Sequence, residues 1–244
     1  MNPVLGRYIP GDSFVHRLDP RCKMLCLLLL TSSILLADTI FEYLIPLAVL
    51  IPAMIASTVN FKTYMKGIKT ILFLLVFAAA IQFFYEGVQG VIYIFLRLFL
   101  ILLAAEVFTF TTQPSIVAFA IEDVLRVFGI PKVKAQEFSM IMSIALRFAP
   151  IMVEEAQRIM RAQISRGAPI DSGEIFERIK ALSAVVIPLM ASAIRKAEEL
   201  SLAMEARMYV PGKVRSRYRE MIWRKKDTTA LFFAAASLIL TIFI

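Results

Sequence analysis

Residues 88–110 restrict the fold more than any other part of the chain. Arg97 and Glu106 are the only charges in that run, and at about 1.5 Å per residue a helix of this length crosses a hydrocarbon core of about 30 Å. Three shorter apolar stretches precede it, residues 24–37, 41–59 and 71–85, and residues 228–244 carry no charge at all. The shorter stretches must recruit their flanks to span. Composition agrees: the chain is 59% apolar and 19% charged, with a mean hydropathy of +0.74, whereas soluble domains run at about half apolar and about a quarter charged. A soluble globule and a disordered chain are both excluded. The expected class is an all-α polytopic membrane protein with four to five transmembrane helices and a cytoplasmic helical region.

Charge sets the orientation and the division of the chain. Arg7, Arg17, Arg21 and Lys23 precede the first stretch, and Lys62, Lys66 and Lys69 join the second to the third. The connections 38–42 and 86–90 hold no basic residue, so the positive-inside rule puts the amino terminus in the cytoplasm. No small-residue cleavage pattern follows the first stretch, so it reads as a retained helix rather than a signal peptide. The expected layout is a cytoplasmic segment 1–23, four spans within 24–112, cytoplasmic or interfacial helices over 113–227 and a last span at 228–244. Nineteen of the 27 basic residues follow Thr112. Residues 138–153 and 181–194 are apolar but short, and the first contains Arg147. Spanning there would expose Arg158, Arg161, Arg166, Arg178 and Lys180 outside, so these helices are expected under or partly within the membrane plane.

Several chemistries drop out. The chain lacks the G-x-x-x-x-G-K-[ST] phosphate loop, so it does not hold ATP in that way. Cys22 and Cys26 share a helix face near the membrane and are incomplete as metal ligands. Their expected role is packing. His16, the single histidine, is expected to be a hydrogen-bonded interfacial residue. No cofactor, metal site or catalytic set is expected, and the net charge of +8 points to the lipid bilayer rather than to nucleic acid. Arg97 lies mid-span, where a charge is costly and faces protein or water. Glu106, nine residues on, points to the opposite face, which leaves Gln82 or a backbone carbonyl as partner. Arg97 therefore reads as a polar clamp or, with Glu106, as part of an ion path.

The polar half contains an internal echo. At an offset of 41, Ala156, Ile159, Ala162 and Arg166 align with Ala197, Leu200, Ala203 and Arg207, a small-residue track near one helical stripe that ends in arginine. Such a track admits another backbone closely, and a terminal arginine can grip a partner's carboxylate. The same arginines could simply complement the negative ends of their helices, worth about 0.3–1 kcal/mol each. Gly167 with Pro169 is expected to stop the first helix, and Tyr209, Pro211 and Gly212 the second. Eight of the twelve methionines follow Thr112, either as adaptable contact surface or as core filler. Pro150 and Pro188 fall within apolar helical runs, where bends are expected.

These residues resemble the transmembrane coupling subunit, the T component, of energy-coupling factor transporters. The likeness runs nearly end to end. Gly6 to Ser13 with His16-Arg17-Leu18-Asp19-Pro20-Arg21 and Lys23 is similar to the family's opening. Arg147-Phe148-Ala149-Pro150, Glu155-Ala156, Ala162-Gln163 and Arg166-Gly167 match its central block, and Pro188-Leu189, Ala197, Glu199-Leu200, Ala203 to Arg207 and Tyr209 its last. The resemblance implies two Ala-Arg-Gly-like motifs that dock on two ABC-type ATPase subunits, here Ser165-Arg166-Gly167 and Ala206-Arg207-Met208. Ser165 and Met208 depart from the usual wording. It further implies a separate substrate-binding S component for a vitamin or a transition-metal ion, ATP hydrolysis by the partners alone, and a prokaryotic plasma membrane. The competing readings are a stand-alone secondary transporter or channel, which would use Arg97 and Glu106, and a membrane-embedded enzyme, which would need a clustered acid, base or metal set.

Overall fold

The computed structural model describes residues 8–168, 175–214 and 221–243. Among the described residues there are seven helices and no strand: α1 (Pro20–Leu36), α2 (Leu44–Ala56), α3 (Phe61–Thr111), α4 (Pro114–Val127), α5 (Lys132–Ser165), α6 (Ile175–Ala206) and α7 (Lys225–Phe243). The all-helical expectation holds. Two compact units divide the described chain within α4, one made of residues 8–121 and 221–243, the other of residues 122–168 and 175–214.

In the first unit, helix starts follow local chemistry. Asp19 caps α1, its carboxylate accepting the Arg21 N–H at 2.9 Å, with Pro20 in the first turn, where a missing amide proton costs nothing. Asn60 caps α3 in the same way through the Lys62 N–H at 3.0 Å. The first helix thus begins ahead of residue 24, taking in Cys22 and Lys23. The second apolar stretch yields only 13 helical residues in α2, about 20 Å long at about 1.5 Å per residue.

α3 carries the expected third and fourth spans. Its 51 residues do not form a straight rod, because Tyr64 and Phe110 meet with ring centroids 5.2 Å apart. A Cβ on Gly67 would fall on the Glu106 carboxylate, and one on Gly90 would meet Gln82 and Glu86. The Tyr64–Phe110, Gly67–Glu106 and Gln82–Gly90 pairs centre on residues 86–87, so two antiparallel helices reverse there. Gly87 makes the reversal at φ 67° and ψ −152°, a region open almost only to glycine. The loop expected over 86–90 shrinks to this one residue.

The core of this unit joins Ile34, Leu50, Leu75, Leu100, Phe110 and Ala234. α7 lies against α1, α2 packs against both α3 and α7, and the buried face of α7 is Asp227, Ala234, Ser237 and Thr241. Ser33 of α1 links to that face through the hydroxyls of Ser237 at 3.1 Å and Thr241 at 2.8 Å, contacts worth roughly 0.6–2 kcal/mol in lipid. The outward surface is strongly apolar: Phe73 and Phe84 are 83% and 87% exposed. Water would penalise such a surface, and hydrocarbon does not. α3 and α7 are long and apolar enough to cross a membrane, as is α5 in the other unit, while α2 is apolar but shorter.

In the second unit α5 packs against α6. A residue just beyond α6 reaches back to the first turns of α5, the Gly212 N–H donating to Glu137 Oε1 at 3.2 Å. The two helices therefore run antiparallel. Pro150 and Pro188 each sit inside a helix that continues past them.

Candidate functional site

The helix ends of this second unit repeat one another. Arg166 caps the carboxyl end of α5; the Gly167 N–H reaches the Ile164 carbonyl at 2.9 Å and the Ala168 N–H the Gln163 carbonyl at 3.0 Å. At the end of α6, the Met208 N–H reaches the Glu205 carbonyl at 2.9 Å and the Tyr209 N–H the Met204 carbonyl at 3.0 Å. Both are the paired bonds of a Schellman cap, and the 41-residue offset of the sequence maps one onto the other bond for bond. The residue after each arginine is left-handed, Gly167 at φ 84° and Met208 at φ 58°. The left-handed residue of the second cap is thus Met208, and Tyr209 of the expected stop supplies the second cap amide.

Each cap holds an arginine where the last carbonyls point away from the helix, and the cap bonds consume the amides but not the guanidinium. Ser165, Arg166, Gly167, Ala206, Arg207 and Met208 are all exposed. Ser165 turns its hydroxyl back to the Arg161 carbonyl at 3.0 Å, so it closes the helix and leaves Arg166 as the reaching group. Along the stripes, Ala162, Ala197 and Ala203 are exposed and Ala156, Ile159 and Leu200 half-buried. Because α5 and α6 are antiparallel, the two arginines lie at opposite ends of the pair. α5 alone has 34 residues, about 50 Å at about 1.5 Å per residue, so the two tips cannot share one small ligand.

The intramembrane pair behaves differently. Arg97 donates through Nη2 to the Ala37 carbonyl at 2.8 Å and through Nε to the Tyr43 hydroxyl at 3.1 Å; that hydroxyl itself donates to Ala37 O at 3.1 Å. A backbone carbonyl is thus the partner, and Gln82 packs instead against Gly90. Glu106 is buried on another face, with its carboxylate over Gly67. The structure does not bring Arg97 and Glu106 together. His16 shares a hydrogen bond with Ser13 Oγ at 2.7 Å through Nδ1 and with the Ile9 carbonyl at 3.0 Å through Nε2. Cys22 and Cys26 stand 3.8 Å apart, and the Cys22 thiol donates to the Asp227 carbonyl at 3.1 Å. Among the described residues no cluster of three or more His, Cys, Asp or Glu side chains could hold a metal ion.

The CbiQ family, described as cobalt transport protein, matches residues 11–218, a stretch that includes both capped arginines. A protein of Thermotoga maritima named energy-coupling factor transporter transmembrane protein EcfT is 42% identical over 98% of this chain and 93% of its own length. This chain belongs to the CbiQ/EcfT family. The Bacillus subtilis EcfT is 37% identical over 93% of the chain and 92% of its own length, and that of Ruminiclostridium cellulolyticum 37% over 92% and 90%. Membership fits the helical, lipid-compatible fold and places the chain among membrane transport proteins.

Sequence reasoning overlooked Asp227 and Glu137. Asp227 is 2% exposed; one carboxylate oxygen accepts the Asp19 N–H at 2.7 Å and the other the Arg224 N–H at 2.7 Å. A lone acid at the head of an uncharged span was the available signal for it. Glu137 lies among ordinary helical charges, and nothing in the pattern marked its tie to Gly212.

Proposed function

We propose that the chain is the energy-coupling transmembrane subunit of an ECF-type importer, non-catalytic itself, carrying ATP-driven motion of two ATPase subunits to an S component that captures a vitamin or a transition-metal ion. The observation that carries this reading is the duplicated cap: two exposed arginines, in the same local geometry, at opposite ends of one antiparallel helix pair. A single binding site would bring its cations together. Two separate motors of similar shape call for two similar, separated handles.

In this reading residues 113–227 lie at the cytoplasmic face with the amino terminus, α5 and α6 serve as coupling helices, and residues 228–244 form the last span. Each guanidinium meets a carboxylate in a groove of its own ATPase, and the small-residue stripes let that groove close on the helix. Closure of the motors then shifts α5 against α6, and the shift passes to the capture subunit. Arg97 and Glu106, each held in its own helical contact, are structural links rather than a path for ions.

The test is Arg166→Glu combined with Arg207→Glu. Removing one partner of a desolvated charge pair costs about 2–5 kcal/mol, so the double variant is expected to lose both ATPases on co-purification while inserting into the membrane normally. Unchanged co-purification would refute the docking role. Mass identification of the capture subunit in the intact complex then tests the substrate class.

A further inference from the structure

The unit formed by α1, α2, α3 and α7 carries a partly open cavity of about 340 Å³, a size within the ~300–1,000 Å³ of small-molecule sites. Its walls are almost wholly apolar and include Leu27, Leu30, Ala53, Val107 and Ala234. Lys23 also borders it, but the ammonium is taken up by the Thr111 carbonyl at 2.9 Å, the His16 carbonyl at 3.3 Å and the Thr112 hydroxyl at 3.5 Å. An occupant therefore meets the methylene stem rather than the charge.

A second pocket of about 260 Å³ shares Phe14 and Leu18 with the first and is otherwise lined by Asp12, Arg17, Arg224, Lys226 and Asp227. Both acids are already engaged. Asp12 pairs with Arg17, whose guanidinium holds that carboxyl below the usual carboxylate range, and Asp227 spends its oxygens on the Asp19 and Arg224 amides. Arg224 and Lys226 are exposed, and among the described residues neither side chain has a carboxylate partner. The Lys226 ammonium sits 5.6 Å from the centre of the Phe14 ring, on the wall the two pockets share. One dry chamber thus adjoins one cationic chamber at the edge of an apolar helix bundle.

We infer that these two pockets together bind one anionic phospholipid of the surrounding bilayer, an acyl chain in the apolar cavity and the phosphate against Arg224 and Lys226. Free phosphate would leave the dry chamber empty. A zwitterionic lipid would bring its own ammonium toward a pocket whose three basic and two acidic side chains leave a net positive charge, whereas basic groups at a membrane surface favour anionic headgroups.

The full-length chain, purified in mild detergent and mixed with equal amounts of phosphatidylglycerol and phosphatidylcholine of the same acyl composition, is examined by native mass spectrometry. Wild type is expected to retain one phosphatidylglycerol in preference to phosphatidylcholine, by on the order of tenfold. Arg224→Ala with Lys226→Ala should abolish the preference, and Ala53→Phe, which fills the apolar chamber, should lower retention of both lipids. Circular dichroism confirms that each variant is folded; should Ala53→Phe fail to fold, the surface double variant still decides. Equal retention of the two lipids by wild type, an unchanged preference in the double variant, or full competition by inorganic phosphate at the lipid's concentration would each overturn the inference.

Discussion

The carboxylate of Asp227, at the head of α7, accepts the main-chain N–H of Asp19, the residue that caps α1, at 2.7 Å. The two residues are 208 apart in the chain, and both are buried. One acid therefore joins the first and last helices of their unit, with the Cys22 thiol donating to its carbonyl beside it. Asp227→Ala leaves the Asp19 amide buried without an acceptor. A loss of about 2–4 kcal/mol is expected, read as a lowered Tm of the detergent-solubilised chain, with Asp227→Asn falling between it and wild type. A Tm unchanged by the alanine variant would show that the link carries no stability.

Gly67 and Glu106 approach closely within the α3 hairpin, since a Cβ on the glycine would fall on Glu106 Oε1. Gly67→Ala must displace a buried carboxylate, at a cost of about 1–3 kcal/mol. In a Glu106→Ala background most of that cost should vanish. Additive losses in this double-mutant cycle would contradict the contact.

Arg97 and Tyr43 converge on the Ala37 carbonyl. Each of the two side chains makes two of the three bonds, but only the guanidinium is charged, so Tyr43→Phe should cost about 1 kcal/mol and Arg97→Ala more, about 2–4 kcal/mol. The double variant should lose less than the sum, as expected for one network. Chemical denaturation of the four chains measures this.

Met208 holds a left-handed conformation that glycine takes without steric cost. Met208→Gly is expected to stabilise the end of α6 by about 1 kcal/mol, and Gly167→Met to destabilise the end of α5 by a similar amount. Amide hydrogen exchange at the last turn of each helix reports both. Slower exchange in Gly167→Met would reverse the sign and remove the argument from the caps.

The helices and their lipid-facing surfaces were legible in the sequence, because apolar length is a local property and hydrocarbon imposes it on each segment separately. So was the arginine echo, since each stripe and its terminal arginine lie within eleven residues, 156–166 and 197–207. The helix ends were less so. Pro20 and Asp19 were read as part of a leading segment although they begin α1, and Tyr209 was named in a stop whose left-handed residue, at φ 58°, is Met208. A methionine in that conformation contradicts its own preference, so only the surrounding cap bonds could reveal it.

Pairing between distant segments lay beyond the sequence altogether. It established that Arg97 needed a partner, and the fold chose Ala37 and Tyr43 over Gln82. It showed two arginines in similar settings, and the antiparallel packing of α5 on α6 set them at opposite ends. By itself the amino-acid order determined which segments are apolar, which are charged and which two helix ends match, because periodicity and polarity act over a few turns. Tertiary structure decided where Gly87 folds a hairpin, what Asp227 ties together and how far apart the two guanidinium groups stand. Those depend on contacts between residues tens to hundreds of positions apart, whose geometry is set by how whole helices pack.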